Sequence, residues 1–186
     1  MKVNIGVSNH HLHLTKEDYY ELFGTYDIKN IKDLVQTGEF ASDSKVSIKT
    51  EKNSISNLRV LGPFRDYTQV EISKTDSYIL GIDPPVRDSG DVKNSAVVTI
   101  EGPNGSITKE CCIIATRHIH INYVDRVKLG LQNVDKVSVR VGSEKKAILD
   151  NVYIKQTPKG VFEMHLDTDD ANANLLKSGD VGEIII

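Results

Sequence analysis

The chain repeats its own plan, and this internal repeat limits what it can fold into more than any other feature. The stretch IGVSNHHLHLTKEDYYEL, which begins at Ile5, parallels IIATRHIHINYVDRVKL, which begins at Ile113. Further on, KVSIKT at Lys45 parallels KVSVRV at Lys136. Self-similarity of this kind indicates repeated structural units. The sequence therefore predicts two related units whose matching positions converge on matching roles.

Both halves are rich in short stretches that alternate apolar and polar residues, as β-strands do. Examples are VSIKT and LRVLG in the first half and VSVRV and VYIKQ in the second. Closely spaced turn residues favour small barrels over a parallel α/β sheet. Two capping signatures, Thr15 with Asp18 and Asn122 with Asp125, each predict a short helix. The predicted fold is mainly β with short α-helices, in two small β-barrels related by an internal repeat.

Composition excludes several classes of function. The chain has 186 residues and a net charge of -3, and its charges are interspersed, so we expect neither a nucleic-acid partner nor a membrane surface. No apolar run reaches the length of a membrane span, and because a strand-like segment follows Met1 directly, we expect no signal peptide. The two cysteines, Cys111 and Cys112, are adjacent, which is neither a disulfide framework nor a metal-binding spacing.

The histidines carry the chemical signal. All six lie in three places, and two of these places have the pattern H-x-H: His11 with His13, and His118 with His120. Residues two apart on an extended strand point to the same face, so each pair can present two imidazoles to one metal ion. Alternatively, the pairs were duplicated together and are hydrogen-bonded polar groups at a barrel mouth. Their recurrence at matching points of the repeat favours metal binding.

A catalytic zinc site takes three protein ligands and leaves one position open, so each pair needs a third residue. The repeat supplies it, because His165 in FEMHLDTDDA matches Glu71 in TQVEISKTDS. The predicted ligand sets are His11, His13 and Glu71 for one ion, and His118, His120 and His165 for the other. Imidazole with one carboxylate suits zinc, although cobalt, iron and manganese also accept these ligands. His10 points to the opposite face of its strand and is left out.

Several segments together resemble the PduL-type phosphate propanoyltransferases, phosphotransacylases first associated with bacterial microcompartments. They are GVSNHHLHLT, DLVQTGEFA, LGPFRDYTQVEIS, PVRDSGD, ATRHIHI and EMHLDTDDAN, which occur in the family's order over nearly the whole chain. The resemblance implies exchange of an acyl group, propanoyl or acetyl, between coenzyme A and phosphate. It also implies a dinuclear zinc site between two β-barrels, with ligands at the six residues that the repeat proposes.

The resemblance assigns further roles. It implies a phosphate-binding arginine at Arg65 and a serine near the metal ions at Ser89. From the residues alone, these are equally well a surface arginine and an ordinary turn residue. It implies an exchanged first strand, so that residues 1–9 and 116–186 form one barrel and residues 10–115 form the other, with a small inserted segment. It also makes a homodimer plausible.

Microcompartment members of the family carry an N-terminal amphipathic extension that is missing from this sequence. We therefore expect a cytoplasmic enzyme and no encapsulation in a shell. In the expected reaction, Arg65 would hold phosphate for direct attack on the thioester, with no acyl-enzyme. Two other functions fit the same ligands: a binuclear zinc acyl-CoA hydrolase (a thioesterase) and a non-catalytic, zinc-stabilised binding module. The open coordination position and the lack of cysteine ligands argue against the module.

Overall fold

The computed structural model describes residues 1–185, which form fourteen strands and four helices. The strands are β1 (Lys2–Ser8), β2 (His11–His13), β3 (Asn30–Asp33), β4 (Phe40–Lys49), β5 (Ser54–Gly62), β6 (Gln69–Glu71), β7 (Val86–Arg87), β8 (Ala96–Glu101), β9 (Ser106–Ala115), β10 (His118–Ile121), β11 (Lys136–Val141), β12 (Ala147–Gln156), β13 (Glu163–Asp167) and β14 (Val181–Ile185). The helices are α1 (Lys16–Phe23), α2 (Lys74–Leu80), α3 (Tyr123–Lys128) and α4 (Thr168–Ala173). None of the helices within residues 1–185 has the length and apolar character needed to span a bilayer.

The first compact unit combines Met1–Asn9 with residues 116–185. Its strands form a closed barrel in the order β1, β13, β10, β12, β11 and β14, and β14 pairs with β1 to close the ring. Alternate residues of each strand point inward. The buried core of this barrel includes Val3, Ile5, Ile119, Val139, Val152, Met164 and Ile184.

The second compact unit is His10–Ala115. Here β4, β5, β2, β6, β9 and β8 form a ring, which closes because β8 pairs with both β9 and β4. Strand β3 pairs with β4, and β7 pairs with β9, as additions to the ring. The alternation predicted from the sequence is visible in β4, where Val46 and Ile48 are buried and Lys45 and Lys49 are exposed. The core of this barrel includes Leu12, Leu14, Val46, Ile48, Val60, Val70, Ile100 and Cys112.

The two barrels share one strand plan. Strand β10 lies parallel to β12 and antiparallel to β13, and β2 lies parallel to β5 and antiparallel to β6. Strand β1 leads into β2 yet belongs to the first unit, while β9 leads into β10 yet belongs to the second. Each barrel therefore contains the strand that precedes the other barrel's histidine pair. The predicted fold class is confirmed, including the exchanged first strand.

A short capped helix follows each histidine pair, as the capping signatures predict. The Thr15 side chain accepts a hydrogen bond from the Asp18 backbone N–H at the start of α1. Asn122 does the same for Asp125 at the start of α3. These caps satisfy backbone donors that the first helical turn leaves without partners. The chain therefore leaves each histidine strand at a defined residue.

Candidate metal centres

In the second unit, three of the predicted ligands come together on two paired strands. Strands β2 and β6 are antiparallel, with His11 opposite Glu71 and His13 opposite Gln69. Leu12 lies between the two histidines and is fully buried in the barrel core. Because side chains alternate along a strand, the histidines point away from that core, and Glu71 shares their face. The local fold therefore presents three donor side chains on one surface.

The donor atoms of this first triad, which we define as His11, His13 and Glu71, lie within 4.8 Å of one another. His11 Nε2 and Glu71 Oε2 are 3.5 Å apart. Ligand atoms placed ~2.1 Å from a tetrahedral zinc ion are about 3.4 Å apart. Two imidazoles and one carboxylate are also a donor set that zinc accepts. The first triad therefore fits a zinc ion in both spacing and chemistry.

The first unit brings together the matching three residues. Strands β10 and β13 are antiparallel, with His118 opposite His165 and His120 opposite Glu163. The donor atoms of this second triad, defined as His118, His120 and His165, also lie within 4.8 Å of one another. His118 Nε2 and His120 Nε2 are 3.1 Å apart. Three convergent imidazoles are likewise a donor set for zinc with an open position.

The tautomer of His118 is set by the backbone. Its Nδ1 lies 2.8 Å from the carbonyl oxygen of Thr116. A carbonyl oxygen only accepts, so Nδ1 carries the proton and donates, and Nε2 keeps its lone pair. This lone pair faces His120 Nε2, where a shared cation would bind both rings. A backbone acceptor that fixes a ligand imidazole in this way is common at metal sites.

A hydrogen-bonded chain connects the first triad to the predicted serine. The Gln69 side-chain amide donates from Nε2 to Glu71 Oε1 at 2.6 Å and to Ser89 Oγ at 3.0 Å. Its oxygen accepts from the Gly90 backbone N–H at 2.7 Å. Gln69 is fully buried. Ser89 is therefore separated from Glu71, a predicted ligand, by a single side chain.

The predicted arginine belongs to the same chain of contacts. Arg65 Nη1 donates to the Tyr67 hydroxyl at 3.1 Å, and that hydroxyl lies 3.4 Å from Ser89 Oγ. Arg65 Nη2 pairs with Glu39 Oε1 at 2.5 Å. A guanidinium has five N–H donors, of which these two bonds use two. The structure thus places Arg65 and Ser89 on one network that ends at the first triad.

Sequence reasoning missed Gln69, Tyr67, Glu39 and Glu163. Two of these had a signal in the sequence, because Gln69 and Glu163 each stand two residues before a predicted ligand and so share its strand face. Glu39 and Tyr67 had no periodic signal, although both lie in segments that carry the family resemblance. They reach the site through loops whose course no periodicity describes.

The residues that directly precede the two histidine pairs have a separate role in each unit. His10 Nδ1 contacts Asp76 Oδ2 at 3.2 Å, beside the capping box that starts α2. At the matching position, Arg117 makes two hydrogen bonds of 2.7 Å to the Asp170 carboxylate in α4. Each of these residues ties the start of its histidine strand to the helix that follows the third ligand. This agrees with leaving His10 out of the ligand set.

The cysteines are unsuited to nucleophilic chemistry. Cys111 and Cys112 are almost completely buried. Burial raises the pKa of the Cys111 thiol to about 12, and it raises the pKa of Cys112 further. Because the thiolate is the reactive form, both thiols are inert near neutral pH. Covalent catalysis through cysteine therefore has no support in this fold.

Comparison with known proteins adds an independent line of evidence. A model of the phosphate propanoyltransferase family matches residues 4–177. A phosphate propanoyltransferase of Thermotoga maritima is 46% identical over 184 residues, covering 97% of this chain and 88% of that protein. One from Priestia megaterium is 47% identical over 182 residues, covering 97% and 84%, and one from Rhodopseudomonas palustris is 43% identical over 185 residues, covering 98% and 82%. The resemblance seen in the motifs is confirmed: this chain belongs to the phosphate propanoyltransferase family, a family of acyltransferase enzymes.

Proposed function

We propose that this enzyme exchanges an acyl group between coenzyme A and phosphate, with one zinc ion in each triad. Propanoyl-CoA or acetyl-CoA and phosphate would be converted to acyl phosphate and free CoA. The observation that carries the proposal is the pair of three-residue donor sets, one of which is joined by hydrogen bonds to Ser89 and Arg65. When bound, zinc would supply Lewis acidity at the thioester carbonyl and a soft-ligand site for the departing thiolate.

Arg65 is proposed to hold the attacking phosphate. A guanidinium stays charged at all working pH values and matches two phosphate oxygens with two N–H groups. Its bonds to Glu39 and Tyr67 fix the direction of the side chain before substrate arrives. Such fixed orientation reduces the entropy lost when phosphate binds.

Ser89 is proposed to donate a hydrogen bond to phosphate or to the developing oxyanion. Its Oγ accepts from Gln69 and lies 3.4 Å from the Tyr67 hydroxyl, which itself accepts from Arg65. When Tyr67 directs its own proton toward Ser89, the Ser89 hydroxyl proton is left to point at a substrate oxygen. A donor held in this way stabilises negative charge without reorganisation.

We propose direct attack by phosphate. A phosphate oxygen would bond to the carbonyl carbon, the carbon–sulfur bond would break, and CoA would leave as the thiolate. The inert cysteines support a route without an acyl-enzyme at either thiol. Incubation with acyl-labelled CoA in the absence of phosphate tests this step. Retention of the label on the protein with a burst of CoA release would overturn it.

The central experiment measures CoA release from propanoyl-CoA and acetyl-CoA with a thiol reagent, on protein whose zinc content has been counted. We expect release to require both phosphate and zinc, and acyl phosphate to appear in equal amount. Release at the same rate without phosphate would instead identify a zinc-dependent thioesterase. If zinc removal lowers the melting temperature and neither substrate is turned over, the protein is a zinc-stabilised binding module.

Arg65→Ala provides a residue-level test of phosphate binding. We expect kcat/KM for phosphate to fall by about 10- to 100-fold, because charge-assisted hydrogen bonds contribute ~1.5–3 kcal/mol. The matched control is Arg140→Ala, which removes an arginine paired with Glu183 on the exposed surface of the other unit. Equal effects of the two substitutions would contradict the assignment of Arg65.

A further inference from the structure

We propose that Gln69 is a positioning residue that fixes the Glu71 carboxylate for metal binding and links it to the loop that carries Ser89. The inference rests on the proposed zinc site, and it adds a residue for which neither the motifs nor the comparisons supply a role. Gln69 lies opposite His13 and two residues before Glu71, on the face that carries the first triad. It therefore borders two of the three ligands.

The orientation of the Gln69 amide is determined by its partners. The Gly90 backbone N–H can only donate, so the atom 2.7 Å from it must be the side-chain oxygen. The NH₂ group then faces the other way, with Glu71 Oε1 at 2.6 Å and Ser89 Oγ at 3.0 Å. In a flipped amide, the Gln69 NH₂ group would face the Gly90 N–H, donor against donor. The Gln69 oxygen would face Glu71 Oε1, acceptor against acceptor. The loop at Gly90 thus decides which end of Gln69 meets the ligand.

The consequence for Glu71 is that its two oxygens have different tasks. Oε1 accepts from Gln69, while Oε2 lies 3.5 Å from His11 Nε2, on the side of the triad. A carboxylate held by one oxygen keeps the other at a fixed angle to the metal position. Residues that orient metal ligands in this way typically change metal affinity or activity by about 10- to 100-fold when they are substituted.

Two substitutions separate the tasks of Gln69. Gln69→Met keeps the length and volume of an unbranched side chain but removes every hydrogen bond. Gln69→Glu keeps an oxygen for the Gly90 N–H but cannot donate to Glu71, and it sets two carboxylates against each other. Gln132→Met and Gln132→Glu are the matched controls, at an exposed glutamine of the other unit.

The measurement is zinc affinity of the first triad, by competition with a chelator, in a His118→Ala/His120→Ala background that removes two ligands of the second triad. We expect affinity to fall about 10- to 100-fold in both Gln69 variants and to stay within twofold in the controls. The visible spectrum of bound cobalt should also change, which a general loss of stability would not produce. The melting temperature of the metal-free proteins shows whether each variant is folded.

Zinc affinity at or above the parent value in either folded Gln69 variant would overturn the proposal. If zinc affinity falls in Gln69→Met but keeps the parent value in Gln69→Glu, the side chain serves only the Gly90 loop. That result overturns the proposal through its link to Glu71. An unsubstituted protein that binds zinc but fails to transfer acyl groups would overturn the proposed function and not this one. A first triad that binds no zinc in the parent would overturn both, and it would be seen before any variant is made.

Discussion

The two triads are built on the same strand pairing, yet their third ligands differ in charge. In each, an H-x-H strand faces an antiparallel strand, and the first histidine of the pair lies directly opposite the third ligand. That predicted ligand is the carboxylate Glu71 in one unit and the imidazole His165 in the other. A zinc ion would thus have one anionic ligand in the first triad and only neutral ligands in the second.

The residue two positions before the third predicted ligand shows the opposite difference, because it is neutral in the first unit and a carboxylate in the second. Gln69 donates to Glu71, whereas Glu163 Oε2 lies 2.8 Å from His165 Nε2. A carboxylate only accepts, so in this second pair the imidazole donates. Within each pair a donor therefore meets an acceptor, which we call polarity matching. We call the first triad with Gln69, and the second triad with Glu163, the two patches. Each patch contains a single carboxylate, which is Glu71 in the first and Glu163 in the second.

Among the substitutions that test this comparison, His118→Ala should lower activity most, because it removes a predicted ligand from the second triad. We expect kcat to fall by roughly 10³-fold or more, since a catalytic metal contributes several kcal/mol to the transition state. Zinc content should fall by one ion per chain. Activity assays, metal counting and thermal unfolding check this. A large loss of melting temperature with little loss of activity would favour a structural role for the triad.

Glu163→Gln tests the polarity matching in the second triad. An amide oxygen still accepts from His165 but carries no charge, so we expect zinc affinity there to fall by about 10- to 100-fold. Chelator competition in a His11→Ala/His13→Ala background measures this triad alone. Glu144→Gln, at an exposed position of the same unit, is the control. An unchanged affinity would mean that the charge behind His165 is irrelevant.

The pair Gln69→Glu and Glu71→His would convert the first patch into a copy of the second. Glu71→His alone should weaken zinc binding, because the Gln69 NH₂ then faces an imidazole. Adding Gln69→Glu should recover about tenfold in affinity, although the same change weakens the site when Glu71 is present. The four proteins form a double-mutant cycle for zinc binding. If the effects of the two substitutions on zinc affinity are additive, the proposed match between Gln69 and Glu71 is wrong.

Gly6→Ala should have the smallest effect. A Cβ at Gly6 would lie 3.1 Å from Glu163 Cδ and 3.3 Å from His165 Cδ2, so these side chains must shift by a few tenths of an ångström. We expect a loss of ~1 kcal/mol in stability and a loss of a few-fold in zinc affinity of the second triad. Denaturant unfolding and chelator competition measure the two effects. A loss of zinc affinity confined to the first triad would contradict the placement of Gly6 beside Glu163 and His165.

Much of the site follows from sequence because its geometry is periodic. Side chains two apart share a strand face, so H-x-H predicts paired imidazoles without knowledge of the fold. The internal repeat then supplies Glu71 and His165 by position alone. The exchanged first strand came from the family resemblance and not from periodicity, because no local pattern states which barrel a strand joins.

The sequence by itself determined the β-rich repeat, the capped helices after the histidine pairs and the two sets of three donors, since these depend on spacing along strands. Only the tertiary structure decided how the donors are oriented and what they are joined to. Strand pairing sets Gln69 opposite His13 and Glu163 opposite His120. Loops bring Glu39, Arg65 and Ser89 to one network. Contacts between residues far apart in the chain depend on loop paths, which have no period to read.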